Sequence, residues 1–178
     1  ELGAITCGVI SGPTFARDLI EKQFSAAMFA STDSAFCKEM TERLSGNYFK
    51  LLASHDVVGI QVAGAIKNVL ALTIGIAKGA GYKDNTVAYL LTAGMEEMAQ
   101  VLTLFGGNFI TMYGLAGLGD ILLTCTGGLS KNQRAGFLLG QGKTLDDVKA
   151  EIKTPNSHKI IIGVVALLAI AIVVKQFI

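Results

Sequence analysis

Apolar and polar positions change rhythm once along this chain, near residue 55. Before it, short alternating runs dominate. Ile5, Thr6, Val9 and Ile10 predict a strand over residues 3–10, ending at Ser11-Gly12-Pro13-Thr14. A helix is expected from Thr14 to about Lys22, with Pro13 at its entry. Ser25 to Ala30 reads as a second strand, and Ser31-Thr32-Asp33 caps a helix over Ser34 to Leu44. Asn47 to Leu52 reads as a third strand. Strand and helix alternating in this way predict the end of an open α/β sheet.

After His55-Asp56 the period becomes helical. Asp56 caps an apolar helix of about Val57 to Lys78. A turn over Gly79 to Asp84 leads to a second helix, starting at Asn85 or Thr86 and ending near Phe105-Gly106-Gly107. A short helix over Asn108 to Tyr113 precedes the glycine-rich Gly114-Leu115-Ala116-Gly117-Leu118-Gly119-Asp120, then the apolar Ile121 to Cys125. Ser130 caps a helix of about Lys131 to Leu139. Gln141-Gly142 breaks it, and Thr144 with Asp147 starts another.

Composition narrows the function classes. The chain has 178 residues, 51% hydrophobic and 16% charged, which suits a folded core and excludes a disordered chain. A formal charge of +1 without basic runs argues against nucleic acid as a partner. Cys7, Cys37 and Cys125 are widely spaced, and His55 and His158 lie far apart, so no metal site is expected. Reduced thiols suit a cytoplasmic protein. No signal-peptide pattern opens the chain, and a start without Met reads as a fragment or a processed product.

Candidate chemistry centres on Lys67. From Val57 to Ala77 it is the one ionisable side chain, set among small and apolar residues. Burial penalises an ammonium and so favours a lysine that gives and takes a proton. The plain alternative is a lysine whose stem lies on the helix while its head reaches water. Ser11 to Ala16 sits where a strand enters a helix, a place where open α/β sheets bind ligands, or it is an ordinary turn. Gly114 to Asp120 offers close backbone approach and a carboxylate for ligand hydroxyls, or it is an interhelical turn with a solvated aspartate. Ser130-Lys131-Asn132 brings a hydroxyl, a cation and an amide to a helix start, which suits phosphate, or it is a plain cap.

Taken together, Ser11 to Ala16, Gly64-Ala65-Ile66-Lys67-Asn68, Ala116 to Thr126, Ser130 to Gly136 and Leu139 to Gly142 resemble bacterial-type NAD(P)-dependent glycerol-3-phosphate dehydrogenase. The resemblance runs from about residue 4 to 152. It implies a mainly α fold: an all-helical substrate domain of the 6-phosphogluconate-dehydrogenase C-terminal-like type, preceded by the last strands and helices of an α/β Rossmann domain. Residues 1–54 would be the remainder of the NAD(P)-binding domain, 55–152 the helical substrate domain, and 153–178 an apolar tail outside the family pattern. The implied reaction interconverts sn-glycerol 3-phosphate and dihydroxyacetone phosphate with NAD or NADP, Lys67 being the acid/base at the C2 oxygen. Gly12, Thr14, Lys67, Asp120, Ser130, Lys131 and Asn132 match substrate-contacting positions, and Ala16 and Lys131 match cofactor-contacting ones.

Departures accompany the match. Lys131 stands where the family usually has arginine, keeping the charge but losing the bidentate fork. Ala93 stands where relatives commonly carry arginine. The family's dinucleotide fingerprint would precede Glu1, so this chain alone is expected to be inactive. Ile160 to Val174 is an uncharged apolar run, readable as a membrane anchor, a buried helix or an extraneous joined sequence. Membrane contact through 160–178 and a homodimer are left open. Two other classes compete with the dehydrogenase: a small membrane protein built on Val57 to Ala77 and the tail, and an inactive remnant.

Overall fold

The computed structural model describes residues 6–128 and 130–152. The start of the expected first strand and the whole apolar tail lie outside the described residues. The chain divides into two compact units: Glu1–Lys67 with Met95–Leu123, and Asn68–Gly94 with the chain from Thr124 onward.

The first unit holds a three-stranded sheet in the order β1-β2-β3, formed by Val9–Ser11, Ser25–Ala30 and Phe49–Ser54. β2 and β3 run parallel, with Ser25 opposite Phe49, whereas β1 pairs antiparallel with β2, with Val9 opposite Ala30. The third strand starts later than Asn47, because pairing with β2 begins at Phe49 and puts Leu51 in the core. Helix α1 is only Ala16–Ile20. Lys22, at a φ of 58°, turns the chain out of the helix that the pattern carried from Thr14 to Lys22.

Helix α2, Ser34–Leu44, starts where Asp33 accepts the Phe36 N–H at 3.0 Å. Its Cys37 is buried with Ala27, Phe29 and Leu51, and Phe36 meets the Phe29 ring edge-on at 5.8 Å. The first part of α3, Val57–Gly79, lies in this unit, and Asp56 caps it through the Gly59 N–H. By length and apolarity alone α3 would suit a membrane span. Within the protein, however, its Ile60 and Ala63 are buried, Ile60 with Ala30 and Ala116.

The second unit packs the later part of α3 and the first part of α4 (Asp84–Leu104) with α6 (Lys131–Gly140) and α7 (Leu145–Ile152). Here α3 and α6 cross with their backbones in contact. A Cβ on Gly75 would strike the Gln133 carbonyl, and one on Gly136 the Leu72 carbonyl. Gly79 and Gly140 meet one turn further along, where a Cβ on Gly140 would lie 3.0 Å from the Gly79 Cα. Leu72, Ala135, Leu138 and Val148 fill the core beside this crossing. Thr144 and Asp147 form the expected capping pair of α7, and the Thr144 hydroxyl holds the Asp147 carboxyl below its ordinary range.

The glycine-rich segment is not a loop. Phe109–Tyr113 forms a 3₁₀ turn, then Leu115–Gly119 forms a π-helical turn that runs directly into α5, Asp120–Thr126. Ala116 is buried against Ile60, and Gly117 lies so close to the Met112 backbone that any side chain there would collide. Glycine here permits close packing, where the sequence pattern suggested a turn. π-helical turns recur at functional sites because they shift the register of the side chain that follows.

Candidate active site

That following side chain is Asp120. The π-helical turn delivers it to Lys67, whose Nζ donates to Asp120 Oδ2. The Asp120 side chain is 5% exposed and that of Lys67 22% exposed. Along its own helix the next charged side chain is Lys78, in the last turn, yet a carboxylate from α5 meets Lys67 through space. Asp120 is therefore a buried, paired group, which corrects the solvated-aspartate reading. An ammonium beside a carboxylate in a water-poor place offsets the desolvation of both only when geometry is good. The pair sets a proton-bearing nitrogen and a fixed negative charge side by side.

The strand-to-helix turn lies against residues next to this pair. Gly12 is buried against β2, where a Cβ would lie 2.8 Å from the Ala27 Cα, so no larger residue fits. The Ser11 hydroxyl lies 3.1 Å from the point a Cβ on Gly64 would occupy, one helical turn before Lys67. Pro13 stands 3.4 Å from the corresponding point on Gly119, the residue before Asp120. The turn, α3 near Lys67 and the entry to α5 thus converge. Thr14 is half-buried and its hydroxyl donates to the Gly12 carbonyl at 3.3 Å, while Ala16 is exposed at the first position of α1.

The second unit carries the other candidate positions. Ser130 is buried, and its hydroxyl accepts the Gln133 N–H at 3.2 Å as the cap of α6. Asn132 donates through Nδ2 to Asn68 Oδ1 at 2.9 Å, so the amide expected at a ligand is held by the residue that follows Lys67. Asn68 belonged to the quoted Gly64–Asn68 motif, but a contact 64 residues distant leaves no periodic trace. Lys131 is exposed and forms no ion pair among the described residues. Among those residues no group of three or more His, Cys, Asp or Glu gathers as a metal site would require.

The sequence profile of the NAD-dependent glycerol-3-phosphate dehydrogenase C-terminus matches residues 56–176. The chain belongs to this family. A glycerol-3-phosphate dehydrogenase of the NAD(P)+ type from Aromatoleum aromaticum is 43% identical over 153 residues, covering 85% of this chain and 47% of the relative. The corresponding protein of Coxiella burnetii is 42% identical over 142 residues, 80% of this chain and 43% of its own length. A crystal structure of a Coxiella burnetii glycerol-3-phosphate dehydrogenase superposes with a TM-score of 0.87 at 36% identity, covering 96% of this chain and 52% of that one.

The chain therefore spans about half the length of the glycerol-3-phosphate dehydrogenases it matches. Its mainly helical architecture is that of the family's C-terminal part. The match continues past Ile152 to residue 176, into the apolar segment that the motif comparison placed outside the family pattern.

Proposed function

We propose that this chain is the substrate-binding part of an NAD(P)-dependent glycerol-3-phosphate dehydrogenase that interconverts sn-glycerol 3-phosphate and dihydroxyacetone phosphate. The observation that carries this reading is the Lys67–Asp120 pair, on the family's own motif positions, with the strand-to-helix turn against Gly64 and Gly119 beside it. In the oxidative direction the C2 hydroxyl gives its proton to the Lys67 amine as the C2 hydrogen leaves with its electron pair. In reverse, the Lys67 ammonium returns the proton to the developing alkoxide. Asp120 holds the amine in place and stabilises its positive charge each time the proton arrives.

Ser130, Lys131 and Asn132 serve the phosphate, at a helix start where backbone N–H groups and a cation favour an anion. Gly12 and Thr14, in the strand-to-helix turn, match substrate-contacting positions of the family. Bound NAD or NADP supplies the acceptor for the hydride. Ala16 and Lys131 each match cofactor-contacting positions of the family, and both are exposed. A cytoplasmic location accompanies this reading.

Calorimetric titration of the chain with sn-glycerol 3-phosphate tests the proposal. Binding is expected, with Lys67→Ala weakening it by about tenfold or more, equivalent to roughly 1.4 kcal/mol. Glycerol, which lacks the phosphate, is expected not to compete. Equal affinity in Lys67→Ala and the parent would remove the assignment.

A further inference from the structure

Asp56 does more than cap α3. One carboxylate oxygen, Oδ1, accepts the Gly59 N–H at 2.8 Å, the usual bond of a helix cap. The other, Oδ2, accepts the Asn108 N–H at 2.9 Å and the Thr111 hydroxyl, 52 and 55 residues away in the chain. Hydrogen bonds to an ionised acceptor are about twice as strong as neutral ones. A single carboxylate therefore ties the first turn of α3 to the 3₁₀ turn over Phe109–Tyr113.

Close packing continues from that tie to the active pair. Gly107 rests on α3, where a Cβ would lie 2.7 Å from the Gly59 Cα. Gly117 of the π-helical turn rests on the Met112 backbone, and Ala116 is buried with Ile60. Asp120 follows at once, on Lys67, roughly 16 Å down the α3 axis from Asp56. We propose that Asp56 is a positioning residue for the Lys67–Asp120 pair. It fixes the segment Asn108–Gly119 to α3 at one end, so that Asp120 meets Lys67 at the other without pivoting. The purpose of the pair rests on the dehydrogenase reading given above, whereas its geometry does not.

The test reads Lys67 directly. Lysines of the full chain are reductively methylated with isotope-labelled formaldehyde, and the Lys67 resonance is assigned from its loss in Lys67→Ala. Asp120→Asn marks the position the signal takes without its carboxylate, and an unmoved signal in that variant would overturn the proposal. Asp56→Ser keeps a side-chain oxygen for the Gly59 N–H but cannot also reach Asn108 and Thr111. The account expects its Lys67 signal to move about half of the way or more toward the Asp120→Asn position, which mere capping would not cause.

A folded Asp56→Ser chain with Lys67 at its original position overturns the positioning role. Should that variant fail to fold, Thr111→Val leaves the cap untouched, and its Lys67 signal is expected to move in the same direction by less. No movement there overturns the role as well. A parent chain that binds no sn-glycerol 3-phosphate, but whose Lys67 signal responds to Asp56→Ser, would refute the substrate and support the positioning.

Discussion

Lys67 and Asp120 are unequal partners, and the inequality makes a prediction. The Asp120 side chain is 5% exposed, whereas Lys67 at 22% retains a route to water. Lys67→Ala therefore leaves a buried carboxylate without its ammonium, a change that typically costs about 3–5 kcal/mol. Asp120→Ala leaves a lysine whose head can turn toward solvent, and its cost is expected to be smaller, about 1–2 kcal/mol. Urea unfolding of both variants checks this order, and a larger loss for Asp120→Ala would contradict the burial asymmetry. Each residue was legible in the sequence, Lys67 by its isolation and Asp120 by the glycines before it. Their contact was not, because 53 residues separate them and no period connects positions so far apart.

Among the elements, those with a polar cap were the most legible. Asp33 and Ser130 mark the starts of α2 and α6, and Asp56 that of α3. The α1 helix and the π-helical turn were not, because long-range packing decides them. Ala116 docking on Ile60 overrides a glycine pattern that locally suits a turn. The α3–α6 crossing makes the same point in measurable form. Alanine normally stabilises a helix interior by about 1 kcal/mol relative to glycine. At Gly136 the added methyl would strike the Leu72 carbonyl, a backbone atom that cannot rotate away. Gly136→Ala is expected to destabilise by about 2 kcal/mol or more, against little change for Gly46→Ala, where the added methyl meets open space. Thermal unfolding of the two variants separates these outcomes, and a stabilised Gly136→Ala would contradict the crossing.

At the scale of the molecule, the change of rhythm near residue 55 was visible in the sequence and corresponds to the passage from sheet to long helices. The division into units was less visible, because α3 and α4 each contribute to both and an uninterrupted helix gives no boundary signal. The chain spans about half the length of the dehydrogenases it matches. The most direct measurement joins this chain to the part of a matched dehydrogenase that it does not cover and follows nicotinamide absorbance with dihydroxyacetone phosphate as substrate. The account predicts turnover in the parent and a fall in kcat of roughly 10²–10⁴-fold in Lys67→Ala, with a smaller change in KM. A Lys67→Ala protein that turns over at the parent rate would contradict it.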